Sequence, residues 1–130
     1  MREDMQDCMF GVNSEYVDLA AEVFTLLSDP TRIRIILALR DGELAVGELA
    51  ERVAKPPTAV SQHLAKLRWA RVVASRQDGT RSYYRLVDDH ARELVQQAVF
   101  HAEHAVDEHP RHHGTGHPSV EELSDRRSRR

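Results

Sequence analysis

Four ligand-type side chains in the C-terminal third of the chain, Asp88, His90, His101 and His104, have the chemistry to hold a transition metal. One carboxylate and three imidazoles form an oxygen and nitrogen set that suits zinc, cobalt or nickel. Their spacing decides how they can be used. The stretch from Asp88 to His104, DDHARELVQQAVFHAEH, repeats apolar Leu94, Val95, Ala98, Val99 and Ala102 at three- and four-residue steps, the helix period. Asp88 and Asp89 stand at its start, where unpaired N–H groups and the dipole favour acids. On such a helix His90 and His101 lie about three turns apart, on nearly the same face but separated by roughly 16 Å at about 1.5 Å per residue. No single ion touches both within one chain. Two copies of the helix packed antiparallel across a two-fold axis would instead bring Asp88 and His90 of one opposite His101 and His104 of the other, forming two symmetric sites. Histidines on a surface helix are most often solvated polar residues, so this reading has to be weighed against the elements that would position them.

Those elements belong to a small intracellular protein. At 130 residues the chain has room for one domain with a modest core, which gains from dimerising. Cys8, the only cysteine, excludes an internal disulfide or a multi-thiolate site within one chain, and no apolar run approaches the length of a membrane span or a signal peptide. A cytoplasmic location without membrane partners is expected. The formal charge of −3 hides an uneven distribution: from Arg52 to Arg85 there are eight basic residues against one acid, Asp78, a local +7. A basic patch of this kind points to nucleic acid.

The order of the elements sharpens that. Met1 to Asn13 has no clean period and reads as an arm. Ser14 is placed to cap a first helix whose stripe is Val17, Ala20, Ala21, Phe24 and Leu27, and Asp29-Pro30 ends it and starts a second, Pro30 to Arg40. In the second helix Ile33, Ile36 and Leu37 are expected inside, with Arg32 and Arg34 outside, before the Asp41-Gly42 turn. Val46 to Val53 then carries core spacing at Val46, Leu49, Ala50 and Val53. A corner at Ala54 to Pro57 follows, and Thr58 to Ala70 forms the next helix: a helix-turn-helix. With Val60, Leu64 and Leu67 inward, Thr58, Ala59, Ser61, Gln62, His63 and Lys66 are left to meet DNA, short and amide side chains for base edges and a cation for phosphates. Val72 to Gln77 and Arg81 to Val87 are β-branched and aromatic runs around Asp78-Gly79, a tight-turn dipeptide, with Arg76 and Arg81 near the tip. This is a basic wing. At least one of Tyr83 and Tyr84, which alternate faces, is expected in the core.

The segments LLSDPTRIRIILAL (Leu26 to Leu39), VSQHLAKLRWARVV (Val60 to Val73) and RQDGTRSYYRL (Arg76 to Leu86) resemble the ArsR–SmtB family of dimeric metal-responsive repressors, a likeness that covers about Tyr16 to His104. The resemblance implies a mainly α winged helix-turn-helix with a small β-hairpin, dimerising through its N- and C-terminal helices. Family members that sense metal on the C-terminal helix use Asp-x-His, ten residues, then His-x-x-His or Glu, and Asp88, His90, His101 and His104 occupy all four positions. A second family site places cysteines in the motif ELCVCDL. Here the segment is ELAVGEL, Glu43 to Leu49, with Ala45 and Gly47 in place of the thiols, which argues against a lead, cadmium or arsenic site.

After Asp107 the segment HPRHHGTGH holds His109, His112, His113 and His117 among Gly and Pro, and resembles tails of nickel- and cobalt-sensing members that add ligands to the helix site. Some of these use a Glu-His pair, matched by Glu103 and His104, with His90 and a tail pair like His112-His113. Four ligands favour tetrahedral zinc or cobalt, whereas further ones favour octahedral nickel or cobalt. Glu121 to Arg130 reads as disordered. The organisation expected is an arm at 1–13, a DNA-binding and metal-sensing domain at 14–106 and a tail at 107–130. The function expected is a homodimeric repressor on a pseudo-palindromic double-stranded operator, released when nickel, cobalt or zinc binds as effector. The alternatives are a metal-buffering protein using its histidine-rich tail and a winged-helix regulator with no metal response. No nucleophile–base pair, phosphate loop or paired-carboxylate cleft suggests an enzyme.

Overall fold

The computed structural model describes residues 11–107; Cys8 and the tail histidines His109, His112, His113 and His117 lie outside the described residues. In chain order the elements are α1 (Val17–Leu27), α2 (Pro30–Ala38) running into a 3-10 turn at Leu39–Asp41, β1 (Leu44–Ala45), α3 (Val46–Val53), α4 (Pro57–Trp69), β2 (Val73–Asp78), β3 (Arg81–Leu86) and α5 (His90–Asp107). The chain divides after Val95 into two units. The first holds everything from α1 to the opening turns of α5, and the described part of the second is the remainder of that helix. Among the described residues no helix is long and apolar enough to cross a membrane.

Local chemistry explains most boundaries. Asp29 caps α2 by accepting the Arg32 N–H at 3.0 Å, and Pro30 follows at the first helical position, where its missing N–H costs nothing. Pro57 starts α4 in the same way, one residue before the expected Thr58. Between α3 and α4, Ala54 takes a left-handed conformation with φ 55°, and the Lys55 N–H returns to the Ala50 carbonyl at 3.1 Å, closing the corner. Glu48 accepts the Ala45 N–H at 3.4 Å and so supplies the returning half of a capping box at the start of α3. Ser14 does not cap α1. Its hydroxyl accepts the Tyr16 N–H at 3.2 Å in a turn ahead of the helix, which begins at Val17.

The core is built where α2, α3 and α4 meet. Ile35, Ile36, Leu49, Val60, Leu64, Leu67 and Val73 are fully buried, each removing roughly 1.5–3 kcal/mol worth of apolar surface from water. The inward stripe expected for α4 is therefore found. That expected for α2 is displaced: Thr31, Ile35 and Ile36 are buried and Ile33 and Leu37 are only half-buried. At about 100° per residue, Arg32 falls between Thr31 and Ile36 on this buried side, so it is not the outward cation the sequence suggested. Along α1 only Leu27 is buried, and Val17, Leu19, Val23 and Phe24 remain exposed.

The sheet has three antiparallel strands in the order β1-β3-β2. The strand β1 was not expected, because two residues are too few to show a period. It pairs Leu44 with Tyr84 and Ala45 with Tyr83, making β3 the central strand and leaving both tyrosines half-buried. Asp78 pairs with Arg81, so the hairpin loop is Gly79-Thr80, one residue later than expected, and Gly79 supplies the positive φ of 62° that such a loop needs.

The Asp29 cap has a measurable cost of removal. Burial pushes its carboxyl up, but the hydrogen bond from the Arg32 N–H, with His63, the Thr31 N–H and the Arg32 guanidinium, more than offsets this, and its pKa lies below the ordinary 3.8. A depressed folded-state value stabilises above the unfolded one and is lost as pH falls through the folded one. Asp29→Ala is expected to lower stability by about 1 kcal/mol at pH 7, with the deficit shrinking below about pH 4. Urea unfolding at fixed protein concentration across that range checks this, and a deficit that does not shrink in acid would contradict it.

Candidate functional site

The helix α4 presents the face opposite its buried stripe. Taking Val60, Leu64 and Leu67 as the inward direction, Gln62 points about 170° away, with Thr58, Ser61 and Lys66 also outside. All four are exposed. Ala59 and His63 are half-buried on the shoulder facing α2. His63 is held there: the Arg32 Nε donates to its Nδ1 at 3.1 Å, and the Arg32 Nη1 donates to the Leu26 carbonyl at 3.0 Å. Six of the residues expected to meet DNA thus lie on α4, but His63 is not a freely exposed one. Trp69, seven residues beyond Gln62 and so on the same outward face of α4, is 91% exposed.

On the wing the two expected arginines differ. Arg76 Nε donates to the Glu43 carboxylate at 2.9 and 3.0 Å, its Nη2 pairs with the same group, and its guanidinium lies 4.6 Å from the centre of the Tyr83 ring. The hydrogen bond from Arg76 holds the Glu43 carboxyl below its usual range, and in return Glu43 raises the Arg76 pKa. The Arg81 side chain is exposed and, among the described residues, has no hydrogen-bond or ion-pair partner. Glu43 and Arg76 are 33 residues apart, so no local pattern revealed their pairing.

The ligand-type residues fall on α5 and the turn before it. Asp88 Oδ1 accepts the His90 N–H at 2.9 Å, which brings this carboxylate and imidazole to the same helix end. Asp89 pairs instead with Arg92 at 3.2 Å. Asp88, His90, His101, Glu103 and His104 are all exposed, while the only buried residues of α5 are Ala91 and Val95. The His104 ring lies 4.3 Å from that of Phe100, one turn earlier. Among the described residues of one chain, no three histidine, cysteine, aspartate or glutamate side chains come together as a metal-holding group.

A DNA-reading helix followed by a β-wing defines the winged helix-turn-helix class of regulators. The family described as bacterial regulatory protein, arsR family, matches residues 29–75. Over 99 residues the chain is 54% identical to the HTH-type transcriptional regulator KmtR of Mycobacterium tuberculosis, covering 76% of each protein. Over 88 residues it is 41% identical to the HTH-type transcriptional repressor SmtB of the same species, covering 68% of this chain and 65% of that one. Among solved structures, the homodimeric winged helix-turn-helix DNA-binding domain Mb0332 from Mycobacterium bovis superposes with a TM-score of 0.64 at 28% identity, over 80% of this chain and 100% of that one. The chain belongs to the ArsR family of transcriptional regulators.

The unequal engagement of the wing arginines has a consequence for binding. Arg81→Ala should weaken binding to all DNA sequences and flatten the dependence of log K on log salt by about one unit, as for one lost phosphate contact. Arg76→Ala should cost less, because Arg76 must first leave Glu43 to reach a phosphate. Anisotropy titrations over a salt series give the ranking, and an equal or larger loss for Arg76→Ala would reverse it.

Proposed function

We propose that the chain is a homodimeric, metal-responsive transcriptional repressor of a pseudo-palindromic operator. In this reading α4 enters the major groove through Thr58, Ser61, Gln62 and Lys66, and the wing meets the backbone beside it through Arg81. Repression as the sense of regulation is supported by the likeness to SmtB, whose name carries it. Dimerisation is supported by the unpartnered apolar residues Val17, Leu19, Val23 and Phe24 on α1, by Leu94 and Phe100 on α5 and by the homodimeric state of the M. bovis domain. The domain boundaries taken are 14–106, with the arm at 1–13 and the tail at 107–130.

The observation that carries the effector assignment is the exposure of Asp88, His90, His101 and His104 on a helix that buries only Ala91 and Val95. The donor set fits a divalent transition metal when two chains supply it: Asp88 and His90 from one, with His101 and His104 of the partner subunit. The metal would supply a bridge between chains that neither set of side chains forms alone. Glu103, His109, His112 and His113 are the further candidates where a six-coordinate metal such as nickel is the effector. Bound metal then favours a dimer geometry in which the two copies of α4 no longer match successive major grooves, and DNA is released. A coupling of about 1–3 kcal/mol is ordinary for such a switch.

Mixing His90→Ala with His101→Ala protein tests the shared site. Heterodimers carry one intact and one doubly damaged site, so they should regain metal response that both mutant homodimers lack. Each single variant should still bind operator without metal, and Gln62→Ala should weaken operator binding more than binding to random DNA. Mutant homodimers with full metal response would refute the interchain site. Metal binding with no effect on operator affinity would make the protein a buffer.

A further inference from the structure

Resting on the assignment of α4 as the reading helix, we propose that Arg32 is a positioning residue that fixes His63 as a hydrogen-bond donor to the DNA backbone through its Nε2. On this view His63 sets how α4 sits in the groove and does not read a base.

The geometry starts from two anchors. Arg32 Nη1 donates to the Leu26 carbonyl, one of the last-turn carbonyls of α1 that no helical N–H can reach, while Nε donates to His63 Nδ1. The guanidinium is a rigid planar fork, so holding it at Leu26 fixes where it meets the imidazole. Asp29 holds the same turn of α2 by accepting the Arg32 N–H at 3.0 Å. The segment Asp29 to Arg32 therefore caps, starts and arms α2 within four residues.

The chemistry of the pair then fixes the proton. A guanidinium has donors only, so the Nδ1 that receives one of them must be bare, and an imidazole bare at Nδ1 carries its proton on Nε2. That nitrogen has no hydrogen-bond partner among the described residues, and it is not among their buried unsatisfied atoms, so it reaches solvent. His63 lies only about 70° from the centre of the buried stripe of α4, against about 170° for Gln62. A side chain on the shoulder of a groove-bound helix meets the phosphates at the groove's edge, and the one opposite the core meets its floor.

Two isosteres separate the parts. His63→Asn keeps an acceptor near the Nδ1 position and loses the Nε2 donor, whereas His63→Gln keeps a donor near Nε2 and loses the acceptor for Arg32. Anisotropy titrations of the full chain should show His63→Asn weakening operator and random DNA by the same factor, about 5- to 10-fold. The salt slope should not change, because a neutral donor displaces no counterion. His63→Gln should retain more affinity than His63→Asn. Nitrogen-15 NMR of the imidazoles should show His63 as the single Nε2–H tautomer in the unsubstituted protein and as a mixture in Arg32→Gln, a signature that a merely structural arginine would leave unmoved. A Nδ1–H or mixed tautomer in the unsubstituted protein would overturn the proposal without needing any variant to fold. Unchanged DNA affinity in His63→Asn would overturn it as well, and a loss confined to operator would make His63 a base reader. Gln62→Ala separates this from failure of the underlying reading: if it leaves operator preference intact, α4 is not the reading helix, and if it lowers that preference, only the role of His63 is at stake.

Discussion

Everything functional in the DNA-binding unit hangs on the burial of one side of α4 against α2 and α3. Val60, Leu64 and Leu67 are fully removed from solvent on the same helix face, and Ile35, Ile36 and Leu49 close over them. A helix clamped along one stripe cannot roll, because turning it by one residue's angle would expose an apolar side chain and bury Gln62 or Lys66. The face presented to a groove is thus set by the core. Arg32 adds a second, polar restraint at the edge of that contact, where apolar packing ends and orientation would otherwise be loose.

That division between apolar and polar restraint also explains what could be read from the chain. The helix-turn-helix, the break and restart at Asp29-Pro30, the hairpin and the apolar stripe of α4 were legible because each rests on a period or on residues a few positions apart. The Arg32–His63 and Glu43–Arg76 contacts were not, since 31 and 33 residues separate the partners and an arginine on a helix or strand looks solvated until its acceptor is known. The phase of α2 failed for a related reason. Four apolar residues, Ile33, Ile35, Ile36 and Leu37, surround Arg34, so several stripes fit the pattern, and contact with α3 and α4 selects the one that includes Thr31. The strand β1 escaped because two residues of pairing leave no pattern, yet it turns β3 into a central strand and brings Glu43 beside the wing.

For the ligand set the sequence carried residue types and spacing, and the described structure adds exposure and the Asp88–His90 contact. The thiol-poor ELAVGEL segment gains a physical account: Ala45 is buried and paired with Tyr83, and Gly47 opens the first turn of α3, so both positions serve strand pairing and helix initiation with no sulfur to offer a soft metal.

On the proposed function, the place of Asp88 and His90 bears on how metal would be felt at the DNA. Asp88 follows the last residue of β3 by two positions, and between them the Val87 N–H is tied to the Val72 carbonyl at 3.0 Å, at the foot of the wing. One and five residues beyond His90 the helix is anchored to the same unit by buried Ala91 and Val95. A ligand pair set between a strand end and a buried helical turn has little freedom to absorb a pull locally. Force applied there by a bond to a second chain therefore passes into β3 and α5 together, and through β3 to Arg81 at the other end of the strand. A rigid lever of this kind needs only a small displacement at the metal to misplace a wing contact, which is consistent with the modest coupling energies that suffice to empty an operator.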